Sequence, residues 1–485
     1  MAAENLKLQF TKLLGSSYAM MLSALFEDGE RPFLVLSPEK DDAAYLYNDL
    51  VNILSEDQVL FFPSSYKRSV QYGNIDNENV VLRTEVLNRI KDSEKVMIVS
   101  YHEALIERII SKEDLEKNTL QLKKGEKISI DFITDMLFEY QFEQVDFVYE
   151  PGQYAIRGSI VDIFSYSGNL PYRLDFFGDE VETIRTFDIE SQLSKATVDK
   201  VSIVPNIQFQ SISDHKNSLF DFLGKEYIIS STDLAFVCAR MDQIFKAVET
   251  DFRSSEDEGK IRPEHLITGK YLQTKLEKRF VIESGSNTLF DNHDNIIGFD
   301  TSLQPGFRKN FILLGEELTT RRKQGYKNYI LSSNPKQHER LESILIDIGV
   351  SVSFVAVNFV LHEGFADHDL KVCYYTDHQI FDRFHKYSIK KHFTRKDSIT
   401  LRELSDLHPG DYVVHIDHGI GQFGGLHKIE VNGKMQESVR LIYRDNDVLF
   451  VNIHSLHRIS KYRGKDGEPP KVYKLGTAAW SRLKE

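Results

Sequence analysis

At 485 residues the chain is longer than the roughly 250–300 residues at which a single hydrophobic core stops growing, so several domains are expected. Hydrophobic residues make up 41% and charged residues 27%, an ordinary globular composition; no apolar run approaches the about 18 residues of a membrane span, so no membrane partner is expected. A formal net charge of −13 excludes whole-surface affinity for nucleic acid, leaves room for a local basic face, and makes protein the expected partner.

The opening MAAENLKLQF has neither a basic and apolar leader nor an Arg-rich transit pattern, which makes the cytoplasm the expected location. Helix and strand signals then alternate. The pattern predicts a helix over SSYAMMLSALFEDG, a buried strand FLVL at 33–36 and a helix over EKDDAAYLYNDLVNILS. A strand VLFF at 59–62, a loop PSSYKRSVQYGNID, a helix through NENVVLRTEVLNRI and a strand VMIV at 96–99 follow. Short apolar strands separated by helices point to βαβ units around a parallel sheet. From about residue 119 the period changes to two, with turn residues in PGQY, YSGNLP and FGDE, which predicts an antiparallel-sheet domain.

Between about 205 and 298 helical signals return in STDLAFVCARMDQIFKAVETDF, with Thr232 or Asp233 as cap and an acidic SSEDEG end. A smaller α/β piece comes next: strand YILSS, helix PKQHERLESILIDIG ended by Gly349, then strands in VSFVAV and KVCYYT. The stretch 381–397, FDRFHKYSIKKHFTRKD, carries Arg383, Lys386, Lys390, Lys391, Arg395 and Lys396 and reads as an exposed linker. After it, GDYVVHIDHGIGQFGGLHKIEVNGKMQESVRLIYRDNDVLFVNIHSL is strand and turn throughout. Asn432-Gly433 and RDND form its tight turns, and a small curled sheet or SH3-like barrel is expected. The last residues, with Trp480, read as the first turns of a helix.

Catalytic patterns are weak. An α/β domain raises the prospect of a nucleotide, yet no G-x-x-x-x-G-K-[ST] occurs. The nearest stretch, LLGSSYAMML at 13–22, has Tyr18 and Ala19 where lysine is needed, and Ser16 or Ser17 reads as a helix cap. His415, His418, His454 and His457 lack the thiolates or paired carboxylates of a metal site, so none is expected. Asp162, Asp175, Asp179 and Glu180 read only weakly as acid/base carboxylates, and Cys238 and Cys373, each inside an apolar run, read as buried thiols.

One strand asks a question. In YRLDFF, Leu174 and Phe176 take one face while Arg173, Asp175 and Phe177 take the other. That mixture fits either a cation–π or cross-strand stack inside the sheet or a face made for a partner.

These residues also carry a resemblance. YAIRGSIVDIFSYSGNLPYRLDFFGDEVETIRTFD resembles the domain shared by the excision-repair helicase UvrB and the bacterial transcription-repair coupling factors, and the stretch from GDYVVHIDHG to SLHRISKY resembles the CarD-like, RNA-polymerase-interacting module of those factors. The two in this order are similar to the coupling-factor family and not to UvrB. The resemblance implies an α/β and α+β multidomain chain. A degenerate UvrB-like α/β domain lies at 1–118 and 205–298, and an inserted UvrA-binding antiparallel-sheet domain at 119–204. A small variable α/β domain follows at 299–392, then the end of a basic linker at 393–397. An SH3/Tudor-like β-barrel that binds RNA polymerase takes 398–465, and 466–485 begin a helix toward a motor absent from this chain.

It further implies Arg157, Arg173 and Phe177 as UvrA-binding residues, and Lys428, Ile429 and Glu430, supported by Leu441, as contacts of the RNA polymerase β subunit by strand addition. ATP and magnesium, and most DNA contact, would belong to the absent motor, leaving this chain without catalytic residues, metal or cofactor, a monomeric adaptor that recruits UvrA to stalled polymerase. Two other functions stay open: a cryptic P-loop-type hydrolase acting on DNA as UvrB does, and a CarD-like regulator that ignores UvrA.

Overall fold

A computed structural model describes residues 5–66, 75–189, 191–207, 217–253, 261–350, 354–387, 407–415, 417–431, 434–452, 459–462, 470 and 472. They fall into two compact units, one of Met1–Leu122, Ser165–Asn169 and Ser202–Lys391, the other of Lys123–Phe164, Leu170–Val201 and His392–Glu485. No described helix is long and apolar enough to cross a membrane.

The first unit is built on a seven-stranded sheet with the order Asn295–Gly298, Lys7–Thr11, Val281–Ser284, Ile228–Ser231, Phe33–Ser37, Met97–Tyr101, Val59–Phe62. Every pairing in it is parallel. Parallel strands need cover on both faces, which is why Phe33–Ser37 is buried at all five positions. Helix Ser17–Asp28 supplies part of that cover by burying Tyr18, Ala19, Leu22 and Phe26 along one stripe. Asp233 accepts a 2.8 Å hydrogen bond from the Phe236 amide and so caps helix Leu234–Arg253.

The same unit holds a second sheet, Thr301–Leu303, Phe365–Asp367, Val372–Thr376, Lys327–Leu331, Val355–Val357, packed with helices Phe311–Lys323 and Pro335–Asp347 around Leu314, Leu318, Ile330 and Leu341. The supposed linker starts later than its composition suggests. Phe381 is buried, Arg383 holds Asp377 at 2.7 Å, and the Tyr387 hydroxyl donates to Asp41 at 2.9 Å. Aromatic and paired residues among the lysines override the charge signal as far as 387.

In the second unit a six-stranded sheet runs Ser194–Val198, Glu180–Phe187, Tyr172–Phe177, Ile160–Ile163, Gln153–Arg157, Glu143–Gln144, antiparallel except for its last pair. A five-stranded antiparallel sheet runs Val448–Asn452, Lys434–Ile442, Gly419–Val431, Tyr412–His415, Ile459–Lys461. Among the described residues no pairing joins its two outer strands, so these residues form an open sheet, one of the two forms expected of them. Asp445 and Asn446 both adopt positive φ, as the RDND turn requires. The SSEDEG stretch, most of the loop after VLFF, the linker from 388, Asn432-Gly433, His454, His457 and Trp480 lie outside the described residues.

Candidate functional site

The six-stranded sheet answers the question posed by YRLDFF. Leu174 and Phe176 are buried on the core face. On the other face register places Asp162 opposite Arg173 and Arg173 opposite Arg185, while Ile160 and Thr183 flank Asp175. Asp162 is fully buried, and Arg173 grips it with two hydrogen bonds, Nε to Oδ1 at 2.7 Å and Nη2 to Oδ2 at 2.8 Å. Arg157, one register step away, also pairs with Asp162. A carboxylate taken out of water is tolerable only when paired and hydrogen-bonded in this way, and a bidentate guanidinium is the strongest such pairing.

Each guanidinium also lies over a ring, Arg173 over Phe187 at 4.5 Å and Arg157 over Phe147 at 5.0 Å. Phe187 belongs to a small apolar cluster with Val148, Ala155 and Phe164. Arg173 Nη1 donates to the Gln192 carbonyl at 3.1 Å, and its bonds to Asp162 raise its pKa above the ordinary value, with burial opposing them. Arg185 pairs with Asp175, which also accepts from Thr183 at 2.6 Å. Three guanidiniums against two carboxylates leave this row one net positive charge.

Phe177 is different: it is 81% exposed. It closes its strand at a two-residue turn in which Gly178 has a φ of +62°, a conformation that favours glycine. The turn is braced by the Ile128 amide, which donates to the Asp179 carbonyl at 2.7 Å. The ring is therefore presented to solvent by a fixed corner. Arg157 and Arg173 stand in one cross-strand network, with Phe177 at the end of the same strand as Arg173. Sequence reading named Asp162 and Asp175 only as weak acid/base candidates; both carboxylates are bound by guanidiniums and not by each other. The signal that could have found Asp162 is a lone carboxylate inside the apolar run IVDIF, facing a strand that carries arginine.

In the five-stranded sheet, Gly419–Val431 is the longest strand, and its ladder with Tyr412–His415 ends at Gln422. Beyond a register shift between Phe423 and Leu426 its ladder among the described residues is with the neighbouring strand alone, pairing Lys428 with Glu437, Ile429 with Gln436, Glu430 with Met435 and Val431 with Lys434. Residues 426–431 and 434–437 thus form a two-stranded arm. A two-residue connection makes 431 and 434 a hydrogen-bonded pair, so alternation turns the backbone groups of Leu426, Lys428 and Glu430 toward the arm's outer edge. Leu441 does not belong to such an edge. It is fully buried with Phe423, Val439 and Val451, opposite Leu449, because its strand is sandwiched at that level between two others. It is a core residue of the module.

His415 is buried and its ring lies 4.7 Å from that of His418. Among the described residues no group of three or more His, Cys, Asp or Glu could hold a metal ion.

Residues 120–209 match the family model of the UvrB interaction domain, and residues 407–463 that of the CarD-like/TRCF RID domain. The chain is similar over 98% of its length to transcription-repair-coupling factors: 24% identical to those of Bacillus subtilis and Haemophilus influenzae, and 21% to one from Staphylococcus aureus. It covers 46%, 47% and 47% of these relatives, about half the length of each.

Proposed function

Because the chain belongs to the transcription-repair-coupling-factor family, spanning about half the length of the relatives it matches, we propose that it is an adaptor that joins UvrA to an RNA polymerase stalled at a lesion. Phe177 anchors UvrA, with Arg157 and Arg173 supplying positive charge beside it. The arm at 426–437 adds a strand to the polymerase β subunit through the outer edge of residues 426–430, with Lys428, Ile429 and Glu430 setting alternate contacts. The chain itself holds partners and catalyses nothing; ATP, magnesium and most of the DNA contact belong to a motor elsewhere in the whole protein. It works as a cytoplasmic monomer.

The observation that carries this reading is Phe177, an aromatic side chain 81% exposed on a braced corner beside a pre-organised cationic row. An exposed ring held on a braced corner loses little entropy on binding and is the kind of residue that dominates an interface. The test is a pull-down of UvrA by this chain beside Phe177→Ala. This substitution leaves the sheet intact, whereas one at Arg173 also strands the buried Asp162. Loss of UvrA with an unchanged melting temperature supports the adaptor; equal capture by both proteins removes the UvrA surface from this face.

A further inference from the structure

Neither matched domain reaches the small α/β piece between Thr301 and Tyr387. We propose that this piece is the resident occupant of the first domain's phosphate-loop position: its backbone at 362–364 fills the place ahead of helix Ser17–Asp28 where a P-loop fold holds phosphate.

The contact is a closed polar ring. The Ser16 amide, one of the unsatisfied donors at a helix start, gives its hydrogen bond to the Glu363 carbonyl at 3.2 Å. The Glu363 amide returns one to Ser16 Oγ at 3.0 Å, Ser16 Oγ donates to Asp49 Oδ2 at 2.6 Å, and the His362 amide donates to Asp49 Oδ1 at 2.6 Å. Ser16 stands at the cap position, yet its hydroxyl is spent on Asp49 instead of its own helix. Gly15 holds a φ of +59°, and a Cβ there would come within 3.1 Å of the Gly364 carbonyl oxygen, so the loop's glycine serves the approach of a second backbone and not of a ligand.

The grip extends on both sides. The Leu14 amide donates to Thr301 Oγ1 at 3.0 Å, and that hydroxyl donates to the Lys12 carbonyl at 2.7 Å. Asn52 reaches the Val360 carbonyl at 2.8 Å, and the Tyr45 ring stacks on His362 with centroids 3.7 Å apart. Met20 and Ile53 pack against Leu331, Leu361 and Phe365. A phosphate entering here would have to displace a backbone carbonyl and lie against the buried Asp49, and the helix start has Tyr18 and Ala19 where a P-loop has its lysine. Separating the two parts would strip the buried hydroxyl, carboxyl and amides of the ring of their partners. What the resemblance implies to be a small variable domain is therefore a fixed part of the first domain.

Hydrogen exchange of the full chain tests this. Asp49→Ala removes the acceptor shared by Ser16 and His362. Peptides covering 12–18 and 360–366 are expected to exchange at least tenfold faster, while those covering 97–101, 281–284 and 372–376 keep wild-type protection. Unchanged exchange at 360–366 overturns the proposal, and so does joint loss of protection at 97–101 and 281–284, which would make Asp49 a core residue of the first domain alone. Tyr45→Ala, which removes the stack on His362 together with the hydroxyl's hydrogen bond to the His385 carbonyl and leaves the ring of hydrogen bonds around Asp49 in place, is expected to repeat the pattern at 360–366 in milder form; no change there counts against the proposal. A titration with a fluorescent ATP analogue and magnesium is expected to give no binding by wild type, and saturable binding at this loop would overturn it.

Discussion

The two proposed partner surfaces of the second unit use opposite parts of the chain. In the sheet from Glu143 to Val198 the chemistry is in side chains that the protein first spends on itself, since Asp162 holds both Arg157 and Arg173 and only Phe177 is left open. In the arm at 426–431 and 434–437 it is in the backbone, whose pairing on one side, among the described residues, ends at Phe423, bonded to Gly410 and Asp411. The difference teaches where each surface is fragile. A side-chain surface built on a buried ion pair fails by losing its fold or its anchor, while a backbone edge tolerates new side chains and fails when a donor is removed.

The largest expected effect is on the first kind. Asp162→Ala leaves Arg173 without its partner in a mostly buried place and should lower stability by about 3 kcal/mol, read as a shift in urea midpoint with an unchanged slope. A loss under about 1 kcal/mol would mean the row is not held by its buried carboxylate. Next comes Phe177→Ala, expected to weaken UvrA binding roughly thirtyfold, about 2 kcal/mol, in a titration where the melting temperature stays put. Glu430→Pro, which removes an outward N–H, should cost the polymerase β subunit about tenfold in affinity. Lys428→Ala should change that affinity less than about threefold; a larger loss from the alanine than from the proline would reverse the contrast between side chain and edge.

The smallest effect is a pH dependence of the docked contact at 362–364. Burial pushes His362 down to about 4, and lowers His378 and His385. These rings are faced by Tyr45 from the first domain and by Asp377 and Arg383 from their own strand end. Depressed histidines give stability that is whole above their ordinary value of 6.5 and is lost as pH falls toward 4. Asp49, raised to about 7 by burial with Ser16, His362 and Glu363 around it, acts oppositely: its contribution is whole below 3.8 and is lost as pH rises to about 7. His362 alone roughly offsets Asp49 between pH 4 and 6.5, and the lowered His378 and His385 add to its side, so the protection of 360–366, taken against the intrinsic exchange rate at each pH, should be greatest near pH 6.5 and fall on acidification. Protection that holds constant or rises from pH 6.5 to pH 4 would contradict this balance.

Much of the architecture was legible locally. Continuous apolar runs such as FLVL announced buried parallel strands, alternation in YRLDFF announced its two faces, and RDND announced its turn. The buried state of Asp162 was not legible, because its partners lie 5 and 11 residues away on other strands. The burial of Leu441 was not legible for a related reason: its strand is an arm at one end and a sandwiched core strand at the other, and alternation cannot tell which.

The sequence by itself determined the element types, the missing P-loop lysine and which face of YRLDFF carries Phe177, since these depend on spacing and residue identity within a few positions. Only the tertiary structure decided what Gly15, Ser16 and Asp49 are for. Their partners, Glu363, Gly364 and His362, come more than 300 residues later, and a hydrogen bond closed across such a loop has no trace in local pattern.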